Sequence, residues 1–343
     1  MRLVATTVVR ESIRGKQRTG FIYDVDWDAQ TILRRLPVPD PNFPESDNNP
    51  RGGVRGGRGI VATRHGIVVA NYDTLSLYDD DWNVVDSLTH PLFVGLHEID
   101  WDGEHLWLAA TGIDAVLKAT LEGKVDAAWD PHGPPDVLEL GLRPRPHPLD
   151  ATVDYRIREA PLIDQCHLNG VTRRDGMTLV NCGLVRKRKS FAARAANRIR
   201  AKLRVSNPSS GRRNSGRSMV VRLDHDGPAQ VLVELADHDF PTHNGQLLDD
   251  GQVALNDSTE NTFRVFTVDD VKPRETLAVN VPGTWLRGLE PVAEGRVVVG
   301  TAPAALVLID LDTGSIAGTV RLSDDPHEAV HGLALCPPLD QRL

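Results

Sequence analysis

Short apolar runs, each preceded by a tight turn that ends in glycine, recur along the whole chain. Ile67-Val68-Val69-Ala70 follows Arg64-His65-Gly66, and Leu106-Trp107-Leu108 closely follows Asp102-Gly103. Thr178-Leu179-Val180 follows Asp175-Gly176, Val253-Ala254-Leu255 follows Asp250-Gly251, and Val297-Val298-Val299 follows Glu294-Gly295. An acidic-glycine pair between two β-rich runs predicts a hairpin, because glycine accepts the positive φ that such turns require. Where the pattern is clearest, two more strands follow, at 306–309 and 317–320, joined by Asp312-Thr313-Gly314. Four strands per repeat predict a propeller blade.

Each hairpin is entered through a polar residue near a small one. The copies read Arg58-Gly59-Ile60, His97-Glu98-Ile99, His167-Leu168-Asn169-Gly170, His243-Asn244-Gly245, Arg287-Gly288-Leu289 and His331-Gly332-Leu333. The sixth copy stops after its first strand. Its three missing strands lie at the other end of the chain, over 3–9, 21–25 and 31–36. The expected fold is therefore all-β. It is a single six-bladed β-propeller over 1–343, with residues 1–36 and 331–336 completing one blade. Such closure removes the open edges of the ring.

The copies at 243, 287 and 331 are evenly spaced, whereas the gaps from 97 to 167 and from 167 to 243 each hold an extra ~30 residues beyond one blade. These insertions, at about 131–166 and 183–217, leave the same face of the propeller, the one on which the inner strands begin. Loops there commonly carry function. Within the second, Phe191, Ala195, Ile199 and Leu203 follow helical spacing with a cationic opposite face. That predicts an inserted basic amphipathic helix, read as a lid over an anionic substrate. Docking of 186–205 on a membrane or an acidic partner, and a solvated helix without a role, are the alternatives.

Charge sharpens this picture. The chain holds 39 Lys and Arg against 47 Asp and Glu, for a net charge of −8. Twelve of the basic residues and no acid fall in 186–217, so the remainder carries 27 basic against 47 acidic residues. No nucleic-acid partner is expected from such a balance. The opening residues lack a signal-peptide pattern, and Cys166, Cys182 and Cys336 are too few and scattered for a disulfide framework. A cytoplasmic location is the expectation.

The residues that open the repeats converge on the propeller axis: Arg58, His97, His167, His243, Arg287 and His331. Neutral imidazoles meeting at one point are a common transition-metal ligand set. The leading expectation is an iron, zinc or copper ion on His97, His167, His243 and His331, in a metalloenzyme of oxygenase or lyase type. Arg58 and Arg287 would clamp a small anionic substrate. Aligning the copies on their glycines instead sets Asn169 and Asn244 level with Arg58, His97, Arg287 and His331, leaving His167 and His243 nearer the mouth. Asn169, Asn244, Asn256 and Asn71 are candidate substrate contacts. Glu98, Asp100 and Glu290 follow ring positions, either as hydrogen-bond acceptors behind the ring or as partners of strand ends. Cys166 reads as packing rather than as ligand or nucleophile. His65, His90, His105, His132, His147, His225, His238 and His327 fall in turns or loops and read as solvated.

Two copies resemble the arylsulfate sulfotransferase-like propellers. These are His167-Leu168-Asn169-Gly170, and the run His243-Asn244-Gly245-Gln246-Leu247-Leu248-Asp249-Asp250-Gly251 that leads to Asn256-Asp257. The resemblance covers about a fifth of the chain and implies a second reading without metal. His243 would accept a sulfuryl group, and His243, Arg58 and Arg287 would be the catalytic set. Carotenoid oxygenases and peptidyl-hydroxyglycine lyases are similar in architecture and hold an axial metal on three or four histidines, but share no quotable motif with this chain. Gluconolactonase-like and strictosidine synthase-like propellers are a further comparison; they use carboxylates for calcium, which this ring lacks. The remaining reading is a non-catalytic propeller that binds a ligand or partner.

Overall fold

The computed structural model describes residues 1–10, 19–44, 56–145, 147–157, 164–174, 176–186, 216–223, 228–248, 251–268, 273–293 and 295–336. Its strands form six four-stranded antiparallel sheets. Blade 1 holds Ile60–Thr63, Gly66–Ala70, Thr74–Tyr78 and Val84–Thr89, and blade 2 holds Leu96–Trp101, Leu106–Ala110, Ala115–Ala119 and Val125–Trp129. Blade 3 runs through Leu168–Arg174, Met177–Arg186, Gly216–Leu223 and Gln230–His238. Blade 4 runs through His243–Leu247, Gln252–Asp257, Thr262–Thr267 and Arg274–Asn280. Blade 5 comprises Thr284–Val292, Arg296–Ala302, Ala305–Asp310 and Ser315–Arg321. In blade 6 the inner strand Glu328–Cys336 pairs with Arg2–Val9, followed by Phe21–Asp26 and Thr31–Pro37. The last inner strand is thus hydrogen-bonded to the first strand of the chain.

Burial explains the strand order within a blade. Gly66–Ala70 is buried throughout, as is nearly all of Arg296–Ala302, because both faces of a second strand pack on neighbouring blades. The outer strands Thr31–Pro37 and Val84–Thr89 are mainly exposed and alternate weakly. The hairpin glycines Gly66, Gly103, Gly176, Gly251 and Gly295 all take positive φ, as the turns demand. The closing blade is fastened from inside. Buried Glu328 accepts hydrogen bonds from Thr7 Oγ1 at 2.7 Å and Tyr23 OH at 2.8 Å, and Arg35 Nη2 lies 3.5 Å away.

The first insertion is irregular over its described residues apart from a short helix, Asp136–Glu139. It is tied to blade 2 by Arg145, which reaches Asp130 at 2.6 Å and the Ile113 carbonyl at 2.6 Å. The basic amphipathic helix read in the second insertion lies outside the described residues, between the second and third strands of blade 3. No helix among the described residues is long and apolar enough to cross a membrane.

Candidate functional site

Every inner strand carries a β-bulge where its opening motif lies. Leu96 pairs with Ala110 but Ile99 with Leu108, and Leu168 pairs with Cys182 but Gly170 with Asn181. The same one-residue excess occurs between His243 and Gln246, between Arg287 and Leu289, and at His331, skipped between Val330 and Gly332. In blade 1, Arg58 N–H bonds the Ala70 carbonyl while Ala70 N–H bonds that of Gly59. A bulge turns a side chain out of the pleat, so six blades aim six side chains at the axis. The bulges align Arg58, His97, Asn169, Asn244, Arg287 and His331 as one level. His167 lies just before the inner strand of blade 3 with φ of 48°, and His243 opens that of blade 4. Arg287 and His331 sit inside their strands rather than at the start.

The ring is largely buried. Arg58, His97, His243 and His331 are each 7% exposed or less. Ring centroids of His97 lie 5.4 Å from His167 and 5.3 Å from His331. The four histidines and two arginines therefore gather in one region of the channel.

Hydrogen-bond partners orient the imidazoles. Thr111 Oγ1 donates to the Leu168 carbonyl, so it can only accept from His97 Nδ1 at 2.8 Å; the Gly95 carbonyl also lies 2.9 Å from that nitrogen. His97 Nδ1 thus faces two oxygens that a proton on it would serve and one guanidinium that would use its lone pair, while its buried Nε2 has no partner. Arg58 Nη1, 3.1 Å from the same Nδ1, donates to the Leu96 carbonyl at 2.9 Å. In blade 4, Ser258 Oγ donates to the Leu286 carbonyl at 2.9 Å and accepts from His243 Nδ1 at 3.0 Å. His243 Nε2 is likewise buried without a partner. His167 Nδ1 faces both oxygens of Asp164 at 3.3 Å. His331 differs: its Nε2 accepts from Arg287 Nη1, because a guanidinium has no acceptor.

Burial holds His97 well below the ordinary imidazole pKa, with the charge of Arg58 and the neighbouring rings adding to it. Burial does the same for His243, reinforced by Arg287, His167 and His331. Both rings are neutral at physiological pH.

Beyond the ring, a cavity of about 480 Å³ follows the inner strands to their exposed ends at Trp101, Arg174, Leu247 and Leu335. Arg58, His243, His331, Asn169 and Asn244 form its inner end, and Glu98, Asp100 and Glu290 line its walls. Burial pushes Glu98 and Glu290 up to about 8 and Asp100 up to about 6. Asn244 Nδ2 donates to Glu98 Oε1, and Asn169 Nδ2 donates to the Thr242 carbonyl at 2.8 Å. Asn256 Nδ2 bonds the Gly288 carbonyl at 3.1 Å. Asn71 is used differently, since its amide caps the turn through Asp73 and Thr74 N–H and donates to the Pro39 carbonyl.

Two loop histidines read as solvated are in fact buried. His238 lies 3.1 Å from Asp257. His132 Nδ1 meets the Arg143 carbonyl at 2.8 Å and its Nε2 meets Asp114 at 3.1 Å. Asp114, His132 and Cys166 are the one group among the described residues whose three potential ligand atoms lie within 4.8 Å of each other. Its groups are saturated, however. Asp114 also accepts Gln165, Cys166 and Leu168 N–H, both nitrogens of His132 are engaged, and burial pushes the Cys166 thiol up well above its ordinary pKa. Both nitrogens of His132 are thus taken, and Asp114 already receives four donors. The cluster instead brackets His167 between two N–H groups held by one carboxylate. Asp114, Thr111 and Ser258 stand behind the ring without any motif to mark them, though Ser258 adjoins the polar strand end Asn256-Asp257.

No protein-family model and no curated protein matches the chain. Solved structures do. A protein of unknown function from Bacteroides caccae superposes with a TM-score of 0.55 at 12% identity over 97% of both chains. A chain of a nidogen–laminin complex gives 0.55 at 8% identity, also over 97% of both. A putative gluconolactonase gives 0.51 at 14% identity over 80% of both. Likeness at these identities establishes the propeller fold alone.

Proposed function

We propose that the chain is a metal-dependent enzyme whose axial histidines hold a transition metal ion beside a site for a small anionic substrate. One observation carries the reading: the bare Nε2 atoms of His97 and His243. Both are buried without a partner, and His243 donates its Nδ1–H to Ser258. Metal-binding histidines are oriented in this way by their outer contacts, and His167 Nδ1 faces Asp164. Imidazole ligands suit iron, zinc or copper. His97, His167 and His243 would hold the ion. His331 would join them on release of its Nε2 from Arg287. A bound ion of this kind lowers the pKa of a coordinated water or polarises a substrate oxygen.

No three of these histidines offer nitrogens within 4.8 Å of each other here, so the side chains would close on the ion rather than meet it preformed. Arg58 and Arg287 supply positive charge at the ring, and Arg58 also lines the cavity. The similar putative gluconolactonase makes hydrolysis of a cyclic ester one reaction class for trial. Oxygenase and lyase chemistry are the others.

Elemental analysis of the purified protein tests the reading. About one iron, zinc or copper per chain is expected, falling at least tenfold in His97→Ala and His243→Ala while the circular dichroism of the fold is kept. Arg58→Lys should retain the metal. A protein that stays metal-free after incubation with each ion refutes it.

Metal-free transfer through His243 is favoured by a separate fact. Its bare, buried Nε2 lies near the Arg287 charge. Attack of that nitrogen on a sulfate ester would form an N–S bond, break the S–O bond, and release the alcohol once protonated. A sulfuryl group trapped on His243, found by mass spectrometry, would support this reading over the first.

A further inference from the structure

Glu98 departs from the repeat. Glycine follows the bulged ring residue in the other five blades, as Gly59, Gly170, Gly245, Gly288 and Gly332, whereas blade 2 has Glu98 after His97. Its carboxylate is accommodated because the facing residue is Gly170, where a Cβ would come within 2.7 Å of Glu98 Oε2. That oxygen is buried without a hydrogen-bond partner, and so is His243 Nε2 on the same cavity.

Two further acids share the chamber. Asp100 accepts the main-chain N–H groups of Trp101 and Arg173, and Glu290 that of Leu335. The main chain at Val171 also favours the charged form of Glu98. These contacts fasten one inner strand to another, but they do not require charge. A glutamine carbonyl would accept the same N–H without a buried carboxylate's desolvation cost, and Gln246 itself joins blade 4 to blade 5 through the Leu289 carbonyl. Neither Glu98 nor Asp100 has an ion-pair partner among the described residues, while the Arg174 charge acts on Glu290. Glu98 and Asp100 belong to blade 2 and Glu290 to blade 5, so they face each other across the channel. Their oxygens are not gathered tightly enough to count as a metal cluster. An organic ammonium, whose N–H donors point in several directions, matches acceptors spread over two walls.

We infer that the chamber binds a small amino carboxylate, its ammonium between Glu98, Asp100 and Glu290 and its carboxylate toward Arg58. The carboxylate half rests on the anion-binding role proposed above for the ring, whereas the ammonium half does not. Asp100 and Glu290 lie three residues beyond His97 and Arg287, about 10 Å along a strand. A ligand with its charges several bonds apart spans that distance.

Calorimetric titration of chelator-treated protein with 6-aminohexanoate, hexylamine and hexanoate tests the inference without any need for metal. The amino acid is expected to bind at least tenfold more tightly than either single-charge probe. Glu98→Gln and Glu290→Gln should each weaken 6-aminohexanoate and hexylamine at least fivefold while sparing hexanoate. The two variants guard against misfolding of either one, with the melting curve as the control. Binding of 6-aminohexanoate no tighter than hexanoate, or no binding of any probe, overturns the proposal. Equal binding of hexylamine and 6-aminohexanoate overturns its carboxylate half and the anion role of Arg58 with it. Loss of metal in the earlier assay leaves this result untouched.

Discussion

Asp114→Asn is the substitution whose cost follows most directly from the geometry. The buried carboxylate receives His132 Nε2 at 3.1 Å, Gln165 N at 2.5 Å, Cys166 N at 3.1 Å and Leu168 N at 3.2 Å. Asparagine keeps one acceptor oxygen and turns an amide nitrogen toward groups that can only donate, so at least one N–H loses its acceptor. An orphaned buried donor costs about 1–3 kcal/mol, and removing one partner of a buried charged contact costs about 3–5 kcal/mol. The two share the same atoms and do not add, so a loss of about 3–5 kcal/mol is expected. In urea, with a slope of about 3 kcal/mol/M, the midpoint falls by about 1–2 M. His132→Gln leaves the carboxylate with its three main-chain donors and should cost less, about 1–3 kcal/mol. The loop that carries His167 at φ 48° is held by Asp114 on both sides, so Asp114→Asn should also loosen His167. An Asp114→Asn protein within 1 kcal/mol of the parent would refute the account of the cluster as a saturated clamp.

Glu290 supplies a pH test. Burial pushes its pKa up to about 8, so between its ordinary range and pH 8 the native state keeps a proton that the unfolded chain has lost. Stability from this group is therefore lost as pH rises through that window. Glu290→Gln should be more stable than the parent by about 2–4 kcal/mol at pH 9 and equal to it near pH 4 in urea titrations; a difference independent of pH would contradict the assignment. At Gly332 a Cβ would lie 2.2 Å from the Arg58 carbonyl and 3.0 Å from Ile60 N, main-chain atoms that cannot step aside. Gly332→Ala should cost about 3 kcal/mol or more, whereas Gly133→Ala, with its nearest contact at 3.5 Å, should change the unfolding midpoint little. Equal effects would mean that the inner strands adjust freely.

The propeller was legible in the sequence because each blade repeats one local device, a glycine turn between two apolar strands. Turn chemistry and strand alternation are short-range properties, and five copies of the hairpin are hard to misread. The convergence of Arg58, His97, His167, His243, Arg287 and His331 was readable for the same reason, since a residue at a fixed phase of a repeat reaches a fixed place in the fold. Tertiary structure decided the rest. Which nitrogen of His97 stays bare depends on Thr111 and Gly95, and for His243 on Ser258, none of them in the repeat motif. His132 and His238 looked like loop residues because local sequence does not reveal what packs over a loop; Asp114 and Asp257 bury them. Asn71 resembled a site residue by its strand-end position, but the turn it caps uses both ends of its amide. Glu98 stands where the other five blades have glycine. What makes room for it is Gly170 on the neighbouring blade, a pairing that exists only once the ring has closed.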